Sequence, residues 1–324
     1  MTTAEERKKI SAEERRRLQD LRKRNRIRRT RGDVVFDVIN AAIIVLITLT
    51  MIYPMWYVLI VSFATPEEAV RGSLYLWPQT FTTEAYIKVF ENEKIWIGYG
   101  NTFIYTIAHT IYVLLLTIPP AYALSKKKLP GRVAITWYFF ATMFISGGLI
   151  PSYLLNKSLG IINTRWIMIV GMGVGYSNLV ITRTYYQTSI PTEVYESAYI
   201  DGATELQTFF RIALPLSGAI IAVMALYAAV GTWGSWYTAF IYIRDQKKWP
   251  LQLRLREILI ENLTQSTDVQ QMSQEEIEAK QHQAFLMTTV KYAIIFIASL
   301  PMLVLYPFVQ KYFVKGVMIG SVKG

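Results

Sequence analysis

An all-α, polytopic membrane bundle of about six spans is the fold class this sequence predicts, and three observations predict it. The 324 residues are 52% hydrophobic but only 18% charged, where soluble domains carry roughly a quarter charged residues. Their apolar residues come in long runs, not at the spaced positions of a soluble core, and mean hydropathy is +0.27. Basic residues gather beside alternate ends of those runs, the arrangement that orients spans with positive charge inside.

Residues 1–32 form a basic arm with Arg15-Arg16-Arg17, Arg22-Lys23-Arg24 and Arg28-Arg29, which carries most of the net charge of +11. Such an arm could bind nucleic acid. Because it directly precedes an apolar run, it reads instead as a cytoplasmic topology anchor in contact with anionic lipid. It is too long for the first region of a signal peptide, and the run behind it is too long for the apolar core of one. The first span is therefore expected to be retained.

A spanning helix needs about 20 mostly apolar residues. The runs that meet this are Val38–Phe63, Thr102–Leu124, Val133–Leu155, Trp166–Tyr186, Leu214–Ile243 and Tyr292–Phe313, so 33–324 is read as one membrane domain. With the arm inside, Lys126-Lys127-Lys128, the segment Arg183 to Arg211 and the tail with Lys311, Lys315 and Lys323 also fall inside. Both termini are then cytoplasmic, and Thr65 to Gly100 lies outside. The outer loop Arg244 to Lys291 is more basic than the rule prefers, but long loops obey it weakly. Within it Ile260–Gln283 is polar and reads as a solvated loop, with an external helical cap as the alternative.

Several chemistries are excluded by composition. There are no cysteines and two histidines, His109 and His282, so neither a thiol nucleophile nor a multi-histidine metal site is available. Carriers driven by an ion gradient hold ionisable residues at membrane depth. These spans hold His109 alone, which reads more simply as a packed polar group. No G-x-x-x-x-G-K-[ST] phosphate loop is present, and no carboxylate pair suggests a membrane-embedded enzyme. The chain itself is expected to bind no cofactor. If it moves solute uphill, another subunit supplies the energy.

The informative segment runs from Pro191 to Pro215. Pro191 favours helix initiation, and Glu193 and Glu196 lie near the positive end of the helix dipole. Val194, Tyr195, Ala198 and Tyr199 make an apolar stripe, Asp201-Gly202 breaks the helix because glycine accepts positive φ, and Thr204 with Gln207 forms a capping box for a second helix. The product is a short amphipathic helix at a fixed angle on the cytoplasmic face, an element suited to a groove on a partner.

This segment resembles the EAA loop of ATP-binding-cassette importer permeases: E-A-A, three residues, G, nine residues, I-x-L-P. Glu196, Ala198, Gly202, Ile212, Leu214 and Pro215 match, and Ser197 replaces the middle alanine. Asn101-Thr102-Phe103, Ala121-Tyr122-Ala123-Leu124-Ser125 and the tail Lys315 to Gly324 are similar to the maltose-type, MalG-like carbohydrate branch. Phe144 to Tyr153 and Trp249 to Glu257 resemble the subgroup for complex or uronate oligosaccharides such as alginate. The resemblance implies a type I importer fold in a bacterial cytoplasmic membrane. It implies that Glu193, Glu196, Ser197, Ala198, Asp201, Gly202 and Ala203 couple to an ATPase, and that the tail with Lys315, Gly320, Lys323 and Gly324 reaches between two such ATPases. ATP and Mg would be bound by those partners, a second permease would complete the path, and an extracytoplasmic binding protein would deliver the oligosaccharide.

For the sugar path, aromatic faces suit stacking and hydroxyl or amide groups suit hydrogen bonding. Asn178 and Tyr176 on the fourth run, and Tyr227, Trp233, Trp236 and Tyr237 on the fifth, are the candidates. Each also has a plain reading: glycines nearby let helices pack closely, and Trp and Tyr sit at membrane interfaces.

Overall fold

The computed structural model describes residues 30–72, 76–171, 173, 175–264 and 274–320, with side chains of 261–281, 309 and 311–320 left aside. Residues 1–29 of the basic arm, and Lys323 and Gly324 of the tail, lie outside the described residues. Met1–Trp56 and Tyr57–Gly324 are two compact units.

In the first unit all described structure belongs to helix α1 (Arg31–Ser62). It begins at Thr30, whose Oγ1 accepts from the Asp33 N–H at 3.2 Å while Asp33 returns Oδ2 to the Thr30 N–H at 2.8 Å. That reciprocal cap satisfies two orphan donors. Its most apolar stretch has a hydropathy of 2.4 and none of it is buried, so the helix is apolar all round, as a span is.

The second unit begins in the last turn of α1 and continues with α2 (Pro66–Arg71), α3 (Glu84–Glu91), α4 (Glu93–Ser125), α5 (Arg132–Phe144), α6 (Leu149–Ser158), α7 (Trp166–Val170) and α8 (Tyr176–Thr188). Then follow α9 (Thr192–Ile200), α10 (Glu205–Leu216), α11 (Gly218–Trp233), α12 (Tyr237–Tyr242), α13 (Leu251–Thr264) and α14 (Gln274–Gly320). Among the described residues there is no strand. Helix α4 is central: α7, α8, α11 and α13 all pack on it, while α14 packs on α2, α3, α11 and α13. At 33 residues it is about 50 Å long, and it stays helical through Pro119-Pro120.

Among the described residues, three helices are long and apolar enough to cross a membrane, and five if each sharply bent pair is one span. The continuous runs expected for the third, fourth and fifth spans are broken. Helices α5 and α6 meet at 118° because Gly148 takes φ +78° and Pro151, in the first turn of α6, has no N–H to continue α5. The fourth run splits around Gly171 and Gly173, the latter at φ +67°, leaving α7 and α8. In the fifth, α10 and α11 meet at 76°. Pro215 cannot close the turn onto Arg211, so the helix widens to π geometry over Phe209–Ala213, the usual local answer to a lost bond.

The outer loop also differs from expectation. Helix α13 is built into the protein: Leu251, Leu253, Leu255 and even Arg254 are buried. Arg254 pairs with Glu257 at 2.7 Å, donates to the Gln246 carbonyl at 2.7 Å and lies over the Trp249 ring. A buried guanidinium is tolerated only with such partners. The described ends of 260–283 are helical, as the cap alternative has it, and Ile260, His282 and Gln283 are exposed.

Candidate functional site

The segment after α8 folds as its residues dictate. Pro191 caps α9. At the other end the Gly202 N–H reaches the Tyr199 carbonyl at 3.1 Å and the Ala203 N–H reaches Ala198 at 2.9 Å, a Schellman closure. It requires Gly202 at φ +76°. Thr204 and Gln207 then form a complete capping box for α10, Thr204 N–H donating to Gln207 Oε1 at 2.9 Å and Gln207 N–H to Thr204 Oγ1 at 3.3 Å.

The apolar stripe of α9 turns inward. Tyr195 and Ala198 are buried, and Tyr195 packs with Tyr122, Tyr186 and Phe209 in one cluster. Glu193, Glu196, Ser197, Asp201 and Gly202 are exposed, and Ala203 is half-buried. Beside the acids stands an apolar surface outside the predicted stripe: Ile200 is 86% exposed, Leu206 71% and Phe210 60%. Ile200 and Leu206 sit in the polar hairpin between spans, where lipid does not explain exposure on this scale. The signal lay in the i,i+6 spacing across the Gly202 turn, invisible to a single-helix periodicity. Glu205 joins the two arms, accepting from the Tyr199 hydroxyl at 3.0 Å and the Tyr122 hydroxyl at 3.3 Å. Burial, then the Glu205 carboxylate, push the Tyr199 phenol up to about 12, so it remains a donor at neutral pH.

Of the residues proposed for a sugar path, Trp236 and Tyr237 alone are in ring contact with each other among the described residues. Trp233 is 4% exposed and its Nε1 donates to the Ala298 carbonyl at 2.9 Å, while its ring meets Tyr99 and Phe103 edge-on. Replacing Trp233 by Phe is therefore expected to cost about 0.5–1.5 kcal/mol through the lost hydrogen bond, read as a lower unfolding midpoint in detergent, with no change in which sugar is carried. Tyr176 packs edge-on against Phe140, and Asn178 is half-buried with no side-chain partner among the described residues. Tyr227 and Tyr237 are about half exposed. Trp236 and Tyr237 do meet, at 5.6 Å, in the break between α11 and α12. There the Arg256 guanidinium lies 3.7 Å over the Trp236 ring. Lys315 and Gly320 fall in the last turns of α14.

Helices α4, α11 and α14 enclose an apolar cavity of about 390 Å³, with Phe103, Thr106, Thr110, Trp233 and Met302 among its walls. It offers a sugar little to hydrogen-bond. His109, buried beside it on α4, gives Nδ1 to the Ile169 carbonyl at 2.7 Å, tying the loose end of α7. Among the described residues no group of three or more His, Asp or Glu could hold a metal.

Residues 95–319 match the family model described as "binding-protein-dependent transport system inner membrane component". Protein LplC of Bacillus subtilis (strain 168) is 40% identical over 295 residues, covering 91% of this chain and 97% of the relative. The polygalacturonan/rhamnogalacturonan transport system permease protein YtcP of the same organism is 36% identical over 290 residues, covering 90% and 99%. Among solved structures, a bacterial ABC transporter involved in the import of the acidic polysaccharide alginate contains a chain superposing with TM-score 0.76 at 29% identity. The match covers 88% of this chain and 99% of that one.

Proposed function

Because this chain belongs to the family of binding-protein-dependent transport system inner membrane components, we propose that the α9–α10 hairpin is the surface on which a cytoplasmic ATPase docks and through which it drives the bundle. The chain is a permease subunit of a sugar ATP-binding-cassette importer. The observation that carries the docking reading is the hairpin itself. A glycine-locked turn presents Glu193 and Glu196 beside exposed Ile200 and Leu206, an acidic rim around an apolar centre, as docking surfaces are built.

In this reading ATP-driven closure of two ATPases moves α9, and the bundle alternates between inward- and outward-facing states. A second permease supplies the other half of the path, and a binding protein delivers sugar from outside. The arm and tail lie with α9 on the cytoplasmic side, where the tail with Lys315, Gly320, Lys323 and Gly324 meets the ATPases. The transported class is uronate oligosaccharides. The names of YtcP and of the alginate importer support this, as does the exposed Arg256 stacked on Trp236, a cation beside an aromatic face. The ion-coupled carrier is not favoured, since the histidine at membrane depth is engaged with a backbone carbonyl.

The test is purification of the tagged chain from its own membranes. One ATPase species and a distinct second permease are expected to come with it. With the binding protein added, ATP hydrolysis by the complex should rise several-fold with oligogalacturonate or oligoalginate but not with maltooligosaccharide. Recovery of the chain without an ATPase would overturn the docking reading; stimulation by the neutral sugar alone would overturn the uronate assignment.

A further inference from the structure

Helix α4 ends at Ser125, and the next residue places a cation among aromatic rings of α4 and α9. Lys126 Nζ lies 3.3 Å from the ring centroid of Tyr195, 4.5 Å from that of Tyr122 and 5.7 Å from that of Tyr199. All three fall within the range in which a ring face attracts a cation. Two of these tyrosines belong to α9 and one to α4. The hydroxyls of Tyr122 and Tyr199 are both held by Glu205 on α10, so one carboxylate orients two walls of the cage. Lys127 and Lys128, its neighbours, are exposed, while Lys126 is half-buried. Burial strips water from its ammonium and lowers its pKa, and the nearby Glu205 opposes that shift.

Toward the outer end of α4, about 37 Å away by helix rise, Asn101 and Thr102 grip the outer loop. Asn101 Nδ2 donates to the carbonyls of Lys247 and Trp249 at 2.8 and 3.1 Å, and Thr102 Oγ1 accepts from the Leu251 N–H at 2.8 Å. One continuous helix thus joins the docking hairpin to the loop at the opposite end.

We propose that Lys126 is a positioning residue that locks the docking helix α9 to the end of α4, so that hairpin and rod move as one body when the ATPase closes. The inference rests on the docking reading above and adds where the force passes. A salt bridge could not replace this joint easily. A cation seated on ring faces resists sliding in the ring plane less than a fixed pair does, yet it holds the two elements at a set separation, which suits a joint that must transmit push and pull without fixing one rotamer.

The chain has no cysteine, so spin labels can be placed cleanly. In the purified complex with its ATPase and second permease, labels at Thr192→Cys and Lys128→Cys, both exposed, report the separation of α9 from the α4 end. The expected result is one narrow distance that is the same with and without ATP. In the Lys126→Met background the distribution should broaden, with the displaced fraction rising roughly tenfold, and ATP should shift it. Lys126→Arg, which keeps the cation, should restore the narrow distance. Tyr195→Phe, which keeps the ring face, should behave as the parent does, and Tyr195→Leu as Lys126→Met does. A parent whose distance already changes with ATP would overturn the proposal, as would a Lys126→Met variant as narrow as the parent or an Arg variant that fails to rescue. Absence of the ATPase from the purified complex is a separate outcome, which fails the docking reading itself.

Discussion

Gly202→Val is expected to insert in the membrane normally yet to lose most ATP-driven uptake. The reason is local. At φ +76° a β-branched residue is an outlier, and forcing an ordinary L-residue into this region costs about 1–2 kcal/mol. Spread over the turn, about 2 kcal/mol is a factor of about 30 in the population of the closed hairpin. A side chain added here would meet nothing within 4 Å in the chain itself, so no packing in the bundle is disturbed. Asparagine tolerates this region far better than valine. Gly202→Asn should therefore keep the turn, and any uptake it still loses measures crowding against the docked ATPase. Protease protection of the spans, uptake into vesicles and ATPase co-purification together separate these terms. Uptake by Gly202→Val at the parent rate would sink the coupling role.

How much of this was legible beforehand follows from how local each determinant is. The hairpin was read correctly because its rules act over a few residues: Pro191 at the start, Gly202 at the stop, Thr204 with Gln207 three apart. Each is satisfied by hydrogen bonds inside the segment, so no distant partner could overrule it. The spans were legible as apolar runs, but apolarity does not report helix continuity. Gly148 and Gly173 permit positive φ, and whether they use it depends on what packs around them. The stripe of α9 is legible in the sequence, and what it packs on is not. Periodicity identified Tyr195 and Ala198 as one stripe, and it could not say that the stripe faces Tyr122 and Phe209, leaving Ile200 and Leu206 for a partner. Residue type alone makes Trp233 a candidate for a sugar path. Its indole N–H is satisfied by Ala298, 65 positions away, a contact that no short-range pattern encodes. Helix α13 was hidden because Arg254 interrupts its apolar residues, and only Glu257, Gln246 and Trp249 make that charge compatible with burial.

The same logic gives the second large effect, at the outer end of α4. Asn101 is 4% exposed and its amide is the shared donor for the Lys247 and Trp249 carbonyls, so Asn101→Leu removes two part-buried hydrogen bonds while keeping the shape. Leaving a buried acceptor unsatisfied costs about 1–3 kcal/mol, so the pair, being part-buried, together cost up to about 6 kcal/mol, comparable to a large share of the 5–15 kcal/mol that holds a typical domain. Thr102→Val should cost about 1–3 kcal/mol, since the Leu251 N–H loses its acceptor. The two substitutions combined should cost less than their sum, because both release the same loop. Gly98 reports on the interface independently. A Cβ there would lie 3.2 Å from the Leu251 Cα and 3.3 Å from its N, backbone atoms that cannot turn aside, so Gly98→Ala should destabilise the seating of α13 by about 1–3 kcal/mol. All three variants should expose 244–264 to protease added to right-side-out vesicles while α9 still retains the ATPase. A loop in Asn101→Leu as resistant as the parent's would show that α4 does not hold it. The rod joining the docking hairpin to the outer face would then have no grip at its far end.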